Sequence, residues 1–175
     1  MFNFKKVGVA AFISSALMAS SMSAFAGADQ IQVTVNGEVV ETTCTISQKD
    51  GGVTIDLGKA PIAAFTDVGA DVASNDVTLD FAGCADGISP VVSAQGTLAE
   101  GTENEYKNTA ADNNVAVKLV SDETVLDAVG KNTVPVTIAE GVGSMPLKAS
   151  MVKATDADVT AGKVQSVATL NVEYK

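Results

Sequence analysis

From Gln30 the chain reads QIQVTVNGEVV, with Ile31, Val33, Val35 and Val39 apolar and Gln32, Thr34, Asn36 and Glu38 polar between them. Gly37 takes the remaining slot of the apolar series. Alternation with a period of two sends successive side chains to opposite faces, so the pattern predicts a strand with one buried face. The chain closes in the same way: in VATLNVEYK, Ala168, Leu170, Val172 and Tyr174 alternate with Thr169, Asn171 and Glu173. Further strands are predicted over residues 53–57, 76–81, 90–94, 115–120, 133–138, 145–153 and 164–174, where Val, Ile and Thr dominate. The segments between them, among them QKDGG, AGCADG, SDET and TDADVTAG, are rich in Gly, Asn, Asp and Thr, which supply turn conformations. The polar run EGTENEYKNTAADNN is expected to be a surface loop, and only PIAAFTDVGADVAS has the makings of a short helix. Many short strands at regular spacing predict an all-β sandwich.

The first strand pattern is too long for a single element. It runs over residues 30–47, whereas strands rarely exceed about ten residues. The economical division is an extension over residues 27–38, followed by a domain over residues 39–175 whose own first strand leads to Cys44.

Residues 1–26 stand apart from the fold. Lys5 and Lys6 precede an apolar run from Val7 to Met18, and Ala24-Phe25-Ala26 follows. This is the layout of a secretory signal peptide, with cleavage expected after Ala26 and, as an alternative, after Ala28. The run is too short for a membrane span, which needs roughly 20 residues. Removing Lys5 and Lys6 moves the net charge from −10 to −12. The remaining chain has no Arg, His or Trp, and its aromatic residues are Phe65, Phe81, Tyr106 and Tyr174. Phosphate contacts need clustered Lys and Arg, so a nucleic-acid partner is not expected. Its core must be built from Val, Ile, Leu and Ala.

Cys44 and Cys84 are the only cysteines. An even, small count in an exported chain predicts one disulfide, and closing a loop of this length contributes roughly 4 kcal/mol in the chain-entropy picture. Zinc is the rival reading, but two cysteines without histidine make a poor ligand set.

Four features in register resemble the pilins of the chaperone–usher pathway, the type 1 pilus subunit family. They are VNGEVVETTCTIS from Val35 to Ser47, LDFAGC ending at Cys84, MPLKASMVKA, and the closing ATLNVEYK with its penultimate Tyr174. The opening ADQIQVTVNGEVV is most similar to tip-fibrillum adaptor subunits. The resemblance implies an immunoglobulin-like β-sandwich lacking its last strand, with an open groove beside the C-terminal strand. A periplasmic chaperone would lend a strand to that groove. At the outer-membrane usher the N-terminal extension of the next subunit would replace it, by donor-strand exchange.

On this reading Ile31, Val33, Val35, Gly37 and Val39 form the donor strand, with Gly37 at the tightest part of a neighbour's groove. Leu170, Val172 and Tyr174 line the groove and receive the chaperone. An extended segment added to a sheet edge gains main-chain hydrogen bonds and fills pockets with alternate side chains. Burying Ile31, Val33 and Val35 contributes on the order of 5–9 kcal/mol before the cost of ordering the segment. The chain would then be a structural subunit of a fimbrium on the bacterial surface that supports adhesion, with related pilin subunits, the chaperone and the usher as partners. A minor tip adaptor or adhesin-type binding subunit of the same pilus is the alternative.

Competing chemistry is thin. Without histidine a Ser-His-Asp or Cys-His set cannot form, so no enzyme activity and no cofactor are expected. Asp156 and Asp158 lack the spacing and Gly of a calcium loop, and GVG at Gly141–Gly143 falls short of a phosphate loop. Both are expected to be turns. Tyr174 has a plainer reading as a core-facing strand residue, and the whole chain as a self-contained secreted sandwich.

Overall fold

A computed structural model describes residues 44–175. Among them lie nine strands: β1 (Thr45–Ile46), β2 (Ala73–Ala82), β3 (Pro90–Gly96), β4 (Tyr106–Lys107), β5 (Val115–Ser121), β6 (Thr124–Val125), β7 (Val129–Pro135), β8 (Val142–Lys153) and β9 (Ala168–Tyr174). They form two antiparallel sheets. One has the order β1-β2-β8-β5-β4, with β6 also on β5, and the other has the order β7-β3-β9. The expected all-β sandwich is therefore present. The candidate helix is reduced to one 3₁₀ turn at Ile62–Ala64.

Alternation decides which faces meet. Leu79 and Phe81 from β2, Leu119 from β5 and Leu147 from β8 face Val92 from β3 and Val134 from β7 across the interior. β8 is buried along much of its length, with Ser150 and Val152 both at 0% exposure. Val152 packs with Ala99, Ala116 and Ala154, and the chain before β2 is bonded to the same end of the strand. The Gly69 and Val72 amides donate to Lys153 and Met151. Asp71 pairs with Lys118 at 2.5 Å and Lys148 at 3.0 Å. Burial alone would raise the Asp71 carboxyl, but the two ammonium groups bring it below the ordinary range.

Two turns behave as their residues dictate. Asp122 and Glu123, at φ 44° and 67°, join β5 to β6, and Glu140 and Gly141, at 53° and 77°, lead into β8. Left-handed values at both central positions suit the right-handed twist of a hairpin.

Several sequence expectations need correction. Residues 53–57 have a strand pattern but join no ladder. The strand expected at 133–138 lies instead at Val129–Pro135, and the one expected from 164 begins at Ala168. The supposed surface loop around Tyr106 contains β4, and Tyr106 is 1% exposed. Its hydroxyl donates to the carbonyls of Leu126 at 2.9 Å and Asp127 at 3.1 Å. Burial, and then the Asp127 charge, push its phenol well above the usual value. Polar neighbours are buried there because they satisfy one another. The Asn108 amide group donates to Asn113 and to the Lys163 carbonyl, while its oxygen accepts from the Ala110 and Gln165 amides.

Gly96 lets the ring of Tyr106 in. A Cβ at position 96 would sit 2.6 Å from Tyr106 Cδ1 and 2.8 Å from the Val167 carbonyl oxygen. Gly96→Ala is therefore expected to cost about 1–3 kcal/mol through overpacking. Its denaturant midpoint measures this, and an unchanged midpoint would show that the ring has room to retreat.

Candidate functional site: an open groove along the last strand

β9 is paired on one side only. Its register with β3 runs from Pro90↔Tyr174 to Gly96↔Ala168, and no strand among the described residues pairs with its other edge. Facing that free edge is the stretch 53–58, which is exposed or half-buried and also lacks a ladder partner. Asp56 shapes this bank. Its Oδ1 accepts from the Gly58 amide at 2.9 Å, and its carbonyl accepts from Asn75 Nδ2 at 3.0 Å, which ties the bank to β2.

Between the two banks the sandwich stands open as a groove of about 930 Å³. Its floor is the interior face of the larger sheet, including Leu79, Phe81, Leu119, Leu147 and Ala149. Its walls carry Ile55 and Leu57 on one side and Leu170 and Val172 on the other. The charged residues at its rim are Lys49 and Asp56. The site therefore offers apolar pockets flanked by main-chain donors and acceptors that no strand has claimed. An extended segment with alternating apolar side chains satisfies both needs at once.

Cys44 and Cys84 are joined, as expected, with their Cα atoms 4.2 Å apart. The bridge links the residue before β1 to the turn after β2, at the end where Thr45 pairs with Ala82. Leu170 and Val172 line the groove. Tyr174 stands beyond them at the end of β9, packed on the main core, with its hydroxyl donating to the Cys44 carbonyl at 3.3 Å. Burial pushes its phenol up. Ile31, Val33, Val35, Gly37 and Val39 lie outside the described residues, as do the expected signal peptide and extension. Among the described residues no group of three or more His, Cys, Asp or Glu is placed to hold a metal ion.

Sequence reasoning missed the second bank of the groove, although Val53, Ile55 and Leu57 do alternate. It also missed Asp127, a carboxylate 1% exposed. Oδ1 of Asp127 accepts from the Val129 and Lys131 amides at 3.0 Å each, and Oδ2 from the Asn132 amide at 2.5 Å. The signal was there in DAVGKN, an Asp ahead of a Gly in a turn.

Comparison with known proteins agrees with this geometry. The family model described as fimbrial protein matches residues 31–175. Protein FimG of Escherichia coli strain K12 is 28% identical over 164 residues, which covers 93% of this chain and 95% of that protein. A chain from a chaperone–usher pilus, solved to explain rod uncoiling, superposes with a TM-score of 0.66 at 23% identity, over 84% of this chain and 96% of that one. The P pilus rod subunit PapA gives 0.60 at 21% identity, over 75% and 99% of the two chains. These structures share the fold of the described domain.

Proposed function

The chain belongs to the fimbrial protein family, and from that premise we propose that it is a chaperone–usher pilin that polymerises by donor-strand exchange. It is a structural subunit of a fimbria, a surface assembly, in a family of structural proteins rather than enzymes. Its partners are related pilin subunits.

The observation that carries the proposal is the groove: an apolar floor flanked by the free edge of β9 and the unpaired stretch 53–58. β9 has seven residues, so at about 3.4 Å per residue its edge is roughly 24 Å long. The alternating segment from Ile31 to Val39 has nine residues, enough to run the full length of that edge and somewhat beyond it. Ile31, Val33, Val35 and Val39 enter a neighbour's groove, and Gly37 passes its narrowest part. Before assembly a periplasmic chaperone covers the groove, docking on Leu170, Val172 and Tyr174. The usher then exchanges that strand for the extension of the next subunit. An uncovered groove is an exposed apolar sheet edge, the kind of surface that drives aggregation.

Deleting residues 27–35 tests the reading. The truncated subunit is expected to be exported, to form its disulfide and to co-purify with the chaperone, yet to leave no fibres by electron microscopy. Loss of the folded domain on deletion would instead point to a self-contained sandwich that uses this segment in its own core.

A further inference from the structure

The smaller sheet ends in β9 on one side and β7 on the other, and the two edges differ in their donors. β3 alternates its partners. On the β7 side the Val136 amide donates to the Pro90 carbonyl at 2.7 Å, and on the β9 side Ser89 and Lys175 exchange bonds of 2.9 and 3.2 Å. With the registers Val91↔Pro135 and Val91↔Glu173, this alternation turns the amides of Ala168, Leu170, Val172 and Tyr174 outward on β9. On β7 it turns Thr133 and Pro135 outward. Every outward position on β9 has an N–H, whereas Pro135 has none. Nearer the start of β7, beside the irregularity at Ser93 and Gln95, the Val129, Lys131 and Asn132 amides are already committed to Asp127, at 3.0, 3.0 and 2.5 Å. Asn132 Nδ2 adds a bond of 2.9 Å to the Val125 carbonyl. Thr133 is the outward donor that remains.

We propose that Asp127 and Pro135 are specificity-determining residues: they withdraw the donors of the β7 edge, so that the smaller sheet accepts an added strand along β9 alone. The inference rests on the donor-strand reading, since a subunit built to trade strands needs one acceptor edge and no other. In other respects β7 is fit for pairing. It has seven residues, Val129, Lys131, Thr133 and Pro135 are exposed, and no strand among the described residues pairs with its outer edge. Such an edge is a template for another chain. The occupant to be kept off is the β7 of a second copy, laid antiparallel across a two-fold axis. Centred on Thr133, that pairing sets Lys131 of one copy opposite Pro135 of the other. The amide held by Asp127 then faces the residue that has no amide hydrogen, and Thr133 is left to donate across the seam. β9 keeps its outward donors and borders the apolar floor of the groove, so main-chain bonding and side-chain burial coincide there.

The test compares the exported chain with Pro135→Thr and Pro135→Ala, which return the N–H with two different side chains. A synthetic peptide, QIQVTVNGEVV, at saturating concentration fills the groove and keeps the subunits from exchanging extensions. Sedimentation reports self-association, and amide hydrogen exchange locates it. Protection of the Val136 amide, bonded to Pro90, shows that β7 stays on β3 in each variant. The wild type is expected to remain a monomer, with slow exchange at Lys131 and fast exchange at Thr133. Each copy of a variant regains one neutral hydrogen bond, about two- to tenfold apiece, so the dimerisation constant rises about 4- to 100-fold and Thr133 slows as the dimer forms. Variants as monomeric as the wild type overturn the proposal. So does wild-type protein that dimerises with Thr133 protected, or in which Lys131 exchanges as fast as Thr133. Loss of Val136 protection in the variants would show that Pro135 serves the fold rather than the edge, which overturns it too. A peptide that fails to slow the Leu170 and Val172 amides overturns the donor-strand reading instead, and the Thr133 comparison still decides whether β7 is closed.

Discussion

A Val35→Asp subunit, supplied as the only copy, leaves cells without long fibres while the folded, disulfide-bonded, chaperone-bound form accumulates normally. Val35 is central in the alternating segment, so donor-strand exchange places it in a neighbour's apolar groove. The floor there is built from side chains such as Phe81, Leu119 and Leu147, and the charged residues at the rim are Lys49 and Asp56. A carboxylate forced among such side chains is buried without a partner, at a cost of at least several kcal/mol. That offsets most of what the remaining Ile31, Val33 and Val39 contribute, about 1.5–3 kcal/mol each, and the cost of ordering the segment removes the rest. On the donor-strand proposal Val35 takes no part in its own subunit's core, so the unassembled domain is expected to fold as before. The measurement is paired: periplasmic chaperone-bound yield, and surface fibres by electron microscopy. Normal fibres, or loss of the folded monomer, would each refute exchange through Val35.

Asp127→Ala is expected to cost about 3–5 kcal/mol, the largest loss foreseen from a single change within the described domain. The carboxylate accepts from three backbone amides, and its removal leaves them with no acceptor in a site that is 1% exposed. A denaturant midpoint that falls steeply with an unchanged slope is the expected signature. Acid gives an independent check. Burial by itself raises the Asp127 carboxyl, but the amides of Lys131, Asn132 and Val129 bring it below the ordinary value. A depressed folded-state pKa means that the contribution is fully present above the unfolded value of about 3.9. It is lost as pH falls through the lower folded value. Wild type should thus lose stability across that acidic window, and Asp127→Asn should lose less there. Asp71 titrates in the same direction, but it is partly exposed and paired with lysines, so added salt weakens its share and leaves that of Asp127 nearly intact. A variant with the same acid profile as wild type would show that the amides find other partners.

By itself the sequence determined the all-β class, most of the strands, the pairing of Cys44 with Cys84, and the patterned last strand that walls the groove. Each rests on a local or compositional signal. Alternation records that one face of a segment is buried, and two cysteines in an exported chain have only each other. The family resemblance supplied the missing strand, which no periodicity states.

The tertiary structure decided everything that depends on a partner far along the chain. Residues 53–57 alternate like a strand yet join no ladder, because burial of one face says nothing about who supplies the hydrogen bonds at the edge. Tyr106 reads as a surface residue in a polar run, and is buried because Gly96, ten positions earlier, leaves room for its ring. Asp127 reads as an ordinary turn acid, and becomes a buried hub because the following turn aims three amides at it. Tyr174 shows the same limit. Its place on the last strand was legible, but its contact with Cys44, 130 positions away, exists only once the two sheets face each other. A sequence pattern fixes the environment each side chain requires, and long-range pairing fixes which residues provide it.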